Sequence, residues 1–339
     1  MRALVMTVAA SITIGVAIAD PPPAKPKQCG VSWVAGRKIN ALNIQPLVEH
    51  RVNWIVQTPF GWQRGIDSPA IRMATSGGVL WGETDEGLAV TTKLARDRGI
   101  RTLLKPHIWV SGGGWRGEIR MADEAQWTEW FASYRRLILH YARFAQEHGI
   151  EALCIGTELR STVDGHQDQW RRIIGEVRAV YDGKLTYAAN WYAEFEEIEF
   201  WDELDYIGIQ AYFPLSEEQT PTLDELLAGW QGPLRRIEKV RNKFDKPVLF
   251  TEVGYRSIAG AASKPWEWPR RGEAVDADLD LQARCYEAFF RTFWEQPWVA
   301  GVYWWKWFPT DHMTGGRAEG FTPQNKPAEA VMESYFSAP

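Results

Sequence analysis

The chain has 339 residues, of which 45% are hydrophobic and 24% are charged, an ordinary balance for a globular protein. The formal net charge of -5 gives no indication of a nucleic-acid partner, and the length allows either two domains or one large barrel. The unusual feature is the 19 tryptophans, which suit either a large core or a cleft where indole rings pack against sugars.

The N-terminus has the pattern of a secretory signal peptide. Arg2 precedes a largely apolar run that ends in the small-x-small cleavage pattern AIA at 17–19. We therefore predict a signal peptide over 1–19, a proline-rich linker over 20–28 and one folded domain over 29–339. This pattern indicates a secreted or periplasmic protein without stable membrane insertion after cleavage, and the alternative is an uncleaved N-terminal anchor.

Strand-like and helix-like segments alternate along the rest of the chain. The predicted strands are 30–35, 52–60, 100–110, 150–159, 184–192, 204–215, 246–255 and 299–308. The predicted helices are 42–49, 85–99, 123–149, 169–181, 222–244, 276–296 and 326–336, with a Gly-Pro break expected within 222–244.

Strict β/α alternation implies parallel strands, and eight such units in a chain of this length predict an α/β fold, the (β/α)₈ TIM barrel. The alternative is a doubly wound open sheet, which normally carries a glycine-rich phosphate turn after its first strand. The sequence at that place, VSWVAGRKIN, does not fit such a turn.

Cysteine and histidine usage argues against disulfide scaffolds and metal sites. Cys29, Cys154 and Cys285 allow at most one disulfide, and the sequence does not decide whether one forms. The six histidines show no metal-ligand spacing, so we predict neither a metal nor another cofactor.

Polar and aromatic residues gather at the predicted C-terminal strand ends, where a barrel of this kind carries its active site. They are Lys105, His107 and Trp109 (strand three), Thr157 and Glu158 (four), Asn190 and Trp191 (five), Gln210 and Tyr212 (six), Glu252 (seven) and Trp304–Trp307 (eight). Lys105 and His107 share strand parity, so both are expected to face the barrel mouth, where they bind a sugar hydroxyl or neutralise nearby carboxylates.

Glu158 and Glu252 each follow an apolar strand, on opposite sides of the predicted barrel. Two carboxyl groups that face each other suit glycosidic bond cleavage, in which one is a proton donor and the other an ionised nucleophile or base. The alternative is that each glutamate is a structural ion-pair partner, for example of Arg160 or Arg256.

Several motifs together resemble glycoside hydrolase family 113, a family of β-mannan-degrading enzymes in a large clan of retaining (β/α)₈ glycosidases. The motifs are CIGTELR (154–160), QAYFPL (210–215), FTEVGYRS (250–257), VYWWKWF (302–308) and TPQNKPAE (322–329), in the expected order over nearly the whole mature chain. The resemblance implies a secreted hydrolase that acts on β-1,4-linked polysaccharide or oligosaccharide, with endo-1,4-β-mannosidase-like activity.

The resemblance also implies roles for individual residues. Glu158 matches the acid/base and Glu252 matches the nucleophile of the clan. Tyr212 matches a tyrosine that orients the nucleophile, and Trp305 matches a tryptophan that forms the floor of the sugar subsite. Thr157 stands where much of the clan has an asparagine that holds the sugar 2-hydroxyl, and Asn190 is a candidate substitute.

The remaining candidates are aromatic. Trp109, Trp115, Trp191 and Trp307 are each a candidate sugar platform or a packing residue, and Trp115 belongs to a glycine-rich loop, SGGGWRGEI (111–119), expected to wall the cleft. Double displacement predicts carboxyl groups roughly 5–5.5 Å apart. The same chemistry on xylan, glucan or another β-glycan, and a non-catalytic saccharide-binding barrel, remain alternatives, and the oligomeric state is not predicted.

Overall fold

The structure is a computed structural model that describes residues 26–268, 275–310 and 319–337. Its strands, in chain order, are β1 (Gln28–Trp33), β2 (Trp54–Gln57), β3 (Phe60–Gln63), β4 (Ile71–Met73), β5 (Arg101–Leu104), β6 (His107–Val110), β7 (Ala152–Thr157), β8 (Lys184–Asn190), β9 (Tyr206–Gln210), β10 (Val248–Val253) and β11 (Val299–Trp307). The predicted signal peptide lies outside the described residues, and β1 begins inside the segment predicted as linker.

Eight of these strands form a closed parallel barrel in the order β1-β11-β10-β9-β8-β7-β5-β2. Each strand pairs in parallel with its neighbours, for example β1 with β11 and β7 with β8. The predicted (β/α)₈ TIM barrel is therefore confirmed.

Helices on the outside of the barrel connect the strands. They are α1 (Ala41–Glu49), α2 (Asp85–Arg96), α3 (Glu124–Glu147), α4 (Arg160–Val163), α5 (Gln167–Arg178), α6 (Glu194–Glu197), α7 (Leu223–Phe244), α8 (Leu279–Phe293) and α9 (Pro327–Phe336). A capping box between Thr222 and Glu225 begins α7, which then continues through Pro233. The predicted Gly-Pro break is therefore wrong, because flanking turns maintain the helix although proline lacks one backbone donor.

Two predicted strands are each divided between two sheets. The predicted strand 52–60 becomes β2 and β3, and 100–110 becomes β5 and β6. A proline, Pro59 or Pro106, lies at each division, where it cannot donate to the barrel ladder. Beyond these prolines β6 pairs in parallel with β3, and β3 pairs antiparallel with β4, in a three-stranded sheet.

This division corrects the placement of two predicted strand-three residues. His107 and Trp109 lie on β6 of the small sheet, whereas Lys105 directly follows the barrel strand β5. The small sheet stands above the barrel mouth, so both residues still line the cleft described below.

The core has two parts. Eight buried side chains from six barrel strands form one cluster, which fills the barrel: Trp54, Val56, Leu103, Ala152, Cys154, Ala188, Leu249 and Tyr303. The larger cluster packs helices against the barrel and includes fully buried Trp130, Trp170, Trp201 and Trp230. Cys29, Cys154 and Cys285 are all buried and free, which answers the question of a disulfide.

Candidate active site

A cleft with a volume of about 900 Å³ opens at the C-terminal ends of the barrel strands. The predicted site residues that line it are His107, Trp109, Glu158, Asn190, Tyr212, Glu252 and Trp305. Lys105, the remaining predicted residue, is completely buried below the cleft and contacts Glu252 from there. Residues from seven strand ends and their loops therefore meet in one place.

Glu252 lies near the end of β10 and receives two strong donors. Lys105 Nζ lies 2.5 Å from Glu252 Oε1, and the Tyr212 hydroxyl donates to Oε2 at 2.8 Å. Lys105 also donates to the Gln210 side-chain oxygen and to the carbonyl of Thr251, each at 3.1 Å. The ammonium is thus fully hydrogen-bonded, and its charge compensates that of the buried carboxylate.

Burial and the negative charge of Glu252 raise the pKa of Tyr212 well above its usual range, so its hydroxyl remains a donor. Burial, together with the charges of Arg116 and Lys105, lowers the pKa of His107 well below its usual range, so the ring is neutral. Arg116 Nη1 donates to His107 Nδ1 at 2.8 Å, which assigns the ring proton to Nε2. That nitrogen lies 3.9 Å from Glu252 Oε1.

Glu158 directly follows β7 in a different setting. Its backbone has a φ of 50°, in the left-handed region that non-glycine residues rarely adopt. Asn190 Nδ2 donates to Glu158 Oε1 at 2.8 Å, and Trp115 Nε1 donates to Oε2 at 3.3 Å. Arg116 is an ion-pair partner at 3.7 Å, whereas Arg160, one predicted structural partner, pairs instead with Glu197.

The glycine-rich loop after β6 places Trp115 and Arg116 against Glu158. Gly113 and Gly114 have φ values of 87° and 99°, which suit glycine and turn the chain back over the cleft. A Cβ at Gly117 would lie 2.4 Å from the Trp115 ring, so only glycine permits this indole position. The loop therefore walls the cleft, as predicted, and also supplies donors to a carboxylate.

Aromatic side chains line both ends of the cleft. Trp109, which is 52% exposed, packs edge-on against Phe60 at one end. At the other end Trp191 stacks on Trp266 with ring centroids 5.1 Å apart. Trp305, on β11, also lines the cleft. Trp307, a candidate platform in the sequence, is instead buried in the core.

The family assignment follows from comparison with known proteins. The chain matches the sequence profile of Glycoside Hydrolase Family 113 over residues 36–323. It belongs to glycoside hydrolase family 113. It is therefore a glycoside hydrolase, which confirms the resemblance identified in the sequence.

Solved structures agree with this assignment. A GH113 β-mannanase from Alicyclobacillus acidocaldarius in complex with ManMIm is 29% identical, with a TM-score of 0.80 over 92% of this chain and 98% of that chain. A second structure, described as a complex of a GH113 β-1,4-mannanase, is 25% identical, with a TM-score of 0.79 over 93% and 100% of the two chains. A comparison with curated protein sequences gives no match.

A more distant likeness concerns the fold alone. A β-glucuronidase from Ruminococcus gnavus is 14% identical, with a TM-score of 0.60 over 93% of this chain and 50% of that chain. The barrel of this family 113 member is thus shared with glycosidases of very different sequence.

Three residues of the site were missed in the sequence. Arg116 contacts both His107 and Glu158, but an arginine in a glycine-rich loop resembles any exposed loop charge. Glu83, a buried carboxyl group on the cleft wall, has a pKa raised by burial. Glu194 lies behind Asn190, within an acidic run that resembles a solvated surface.

Thr157, where much of the clan has asparagine, is buried, and its hydroxyl donates to the carbonyl of Pro106 at 3.3 Å. The structure therefore places it below the cleft surface.

Within the described ranges there is no cluster of three or more histidine, cysteine or acidic residues that could hold a metal ion. Among the same residues, no helix has the length and apolar character needed to cross a membrane.

Proposed function

We propose that this family 113 enzyme hydrolyses β-1,4-linked polysaccharide or oligosaccharide, and specifically β-mannan, by double displacement. Glu252 is the nucleophile and Glu158 the general acid/base. The observation that carries this proposal is the presence of two buried carboxyl groups, at the ends of β7 and β10, in one cleft with different partners. The two family 113 β-mannanases with similar structures support the choice of mannan.

In the first step Glu252 attacks the anomeric carbon, and the glycosidic carbon–oxygen bond breaks. Glu158 gives its proton to the departing oxygen, so the leaving sugar departs as a neutral alcohol. In the second step Glu158 takes a proton from water, whose oxygen attacks the anomeric carbon and displaces Glu252. The product keeps the β configuration, and no cofactor takes part.

The surrounding residues support these roles. Tyr212 and Lys105 hold Glu252 from two sides, so its carboxylate orientation is fixed before substrate binds. The neutral His107 presents Nε2–H towards the same carboxylate and a bound sugar. Trp305 is the proposed floor of the subsite where the bond is cleaved.

Trp109 is the proposed platform for a further sugar at one end of the cleft, where its indole is half exposed. Asn190 is the proposed contact for the sugar 2-hydroxyl, although one of its amide hydrogens already goes to Glu158. We further propose that residues 1–19 are a cleaved signal peptide of a secreted or periplasmic enzyme. The proposed linker is then 20–27 and the catalytic domain 28–339, one residue from the predicted boundary, because β1 begins at Gln28.

The experiment is a panel of β-1,4-mannan, xylan and β-glucan, with product lengths and the initial product anomer analysed for the wild type and for Glu252→Gln. The wild type is expected to release β-configured mannooligosaccharides, and the variant to lose roughly 10⁴-fold or more in kcat. The variant should remain folded, with a lower melting temperature because the buried Lys105 ammonium loses its charged partner. Cleavage of another glycan alone contradicts the choice of mannan. A folded wild type without turnover on any glycan favours the non-catalytic binding barrel.

A further inference from the structure

A third carboxyl group, that of Glu194, lies behind the cleft wall and touches the site only through other residues. It is completely buried at the start of α6 and follows Ala193, whose φ is 60°. Its two oxygens have separate partners: the Tyr187 hydroxyl lies 2.6 Å from Oε1, and the backbone N–H of Asn190 donates to Oε2 at 2.6 Å.

Each of these partners contacts the segment of the acid/base. The Tyr187 hydroxyl accepts a hydrogen bond from the backbone N–H of Leu159 at 2.9 Å, directly after Glu158. The Asn190 side chain donates to Glu158 Oε1 at 2.8 Å. Glu194 therefore connects the end of β8 with both the backbone and the carboxyl group of the acid/base residue.

Packing leaves this connection little freedom. A Cβ at Gly156 would lie 2.5 Å from the Tyr187 ring, so the ring lies directly against β7 two residues before Glu158. Trp170 packs edge-on against the same ring, with centroids 5.3 Å apart. The Tyr187 hydroxyl is thus fixed at the place where Glu158 adopts its left-handed backbone conformation.

The position of Glu194 is electrostatically costly. Burial raises its pKa to about 8, and the charge of Glu158 acts in the same direction, whereas the bonds from Tyr187 and Asn190 lower it. A buried carboxyl group that also interacts with the charge of a second one is unfavourable for folding, and such groups are often found at functional sites.

We propose that Glu194 is a positioning residue, which holds the acid/base Glu158 in place through Tyr187 and Asn190 for proton transfer to the leaving group. This inference rests on the proposed acid/base role of Glu158. Proton transfer depends on hydrogen-bond distance and direction, and a displacement of about 1 Å can cost about 100-fold in rate.

Substrates with different leaving groups distinguish a misplaced proton donor from a general loss of active-site structure. A departing sugar requires a proton from Glu158, whereas 2,4-dinitrophenolate departs without one. The measurement is kcat/KM of Glu194→Ala on mannotetraose and on 2,4-dinitrophenyl β-mannobioside. We expect a loss of about 10- to 100-fold on mannotetraose and little change on the dinitrophenyl substrate. Glu194→Gln, which keeps an acceptor for the Asn190 N–H, should recover part of the loss.

Two other variants complete the experiment. Tyr187→Phe removes one of the two connections and should show the same selective loss, to a smaller extent, even if Glu194→Ala does not fold. Glu151→Gln is the matched control, because Glu151 also accepts a backbone N–H, that of Thr102, but at the opposite end of the barrel. This control should affect both substrates equally.

Glu158→Ala separates failure of this inference from failure of the proposed function. Suppose that kcat/KM of Glu158→Ala falls only on mannotetraose, whereas kcat/KM of Glu194→Ala and Tyr187→Phe falls equally on both substrates. Glu194 is then only structural and the inference is wrong. If Glu158→Ala itself shows no selectivity, the acid/base assignment is wrong and the inference falls with it.

Discussion

The two carboxyl groups of the cleft are held in opposite ways. Glu252 lies within β10, where the pairing with β9 shifts register, and contacts a completely buried ammonium and a tyrosine hydroxyl, at 2.5 and 2.8 Å. Glu158 lies just past the end of its strand, in a left-handed conformation, with an amide and an indole as its nearest donors, at 2.8 and 3.3 Å.

This difference matches the chemistry proposed for the two groups. A nucleophile is used in one protonation state, so fixed charges inside the barrel suit it. An acid/base must give up a proton and regain it in each turnover. Neutral hydrogen-bond donors, with one cation at a longer distance, are compatible with both the protonated and the ionised form of Glu158. Among the residues that the structure describes, the cation paired with Glu158 is Arg116, at 3.7 Å on a glycine-rich loop, whereas that paired with Glu252 is Lys105 at the end of a barrel strand.

The largest expected effect comes from removing the cation beside Glu252. Lys105→Met keeps most of the buried volume but leaves the Glu252 carboxylate without its ammonium, so kcat should fall about 10²- to 10³-fold. The free energy of unfolding should fall by about 3–5 kcal/mol, because a buried charge loses its partner. Steady-state kinetics and denaturant unfolding measure the two effects.

Lys184→Met is the control, because Lys184 also bonds an acidic residue, Asp205, but is mostly exposed. Its loss should change stability by less than about 1 kcal/mol and leave kcat unchanged. If Lys105→Met keeps the kcat of the wild type, the Lys105 ammonium is not needed to compensate the charge of Glu252.

A second prediction concerns Glu194, behind Glu158, and the pH dependence of the free energy of unfolding. The folded protein keeps Glu194 protonated up to a pKa of about 8, against 4.5 for an unperturbed glutamate. Above pH 4.5 the unfolded chain has lost this proton while the folded protein retains it, so the contribution of Glu194 to stability decreases as pH rises to about 8.

Glu194→Gln removes this dependence. Its unfolding free energy relative to that of the wild type should therefore increase between pH 5 and pH 8.5, by an amount on the order of 4 kcal/mol. Urea unfolding of both proteins at the two pH values measures it, and the contributions of groups that do not interact with Glu194 cancel in the difference. A pH-independent difference would show that Glu194 is ionised throughout this range.

The smallest effect is expected from the loop. Trp115→Phe removes the N–H that points at Glu158 but keeps an aromatic ring, so kcat/KM on mannotetraose should fall about 3- to 10-fold, as for one hydrogen bond. Trp127→Phe, on the outer helix α3, should leave kcat/KM unchanged. An equal loss of kcat/KM in both variants would show that the contact of the Trp115 N–H with Glu158 has no specific effect on activity.

Sequence patterns were sufficient for the barrel and for the placement of Glu158 and Glu252, because strand periodicity places both at one rim. They could not predict that the chain leaves the barrel at Pro59 and Pro106, since the second sheet depends on pairing between distant segments. Arg116 depends on the left-handed Gly113 and Gly114, a conformation that sequence permits but does not require.

The measurement that tests the central claim most directly is the product formed in azide by Glu158→Ala and Glu252→Ala on 2,4-dinitrophenyl β-mannobioside. In Glu158→Ala, azide should attack the covalent intermediate on Glu252 and give the β-glycosyl azide. In Glu252→Ala, azide should take the place of the missing carboxylate and give the α-glycosyl azide. NMR distinguishes the two products, and an α-azide or no azide product from Glu158→Ala would contradict the assigned roles.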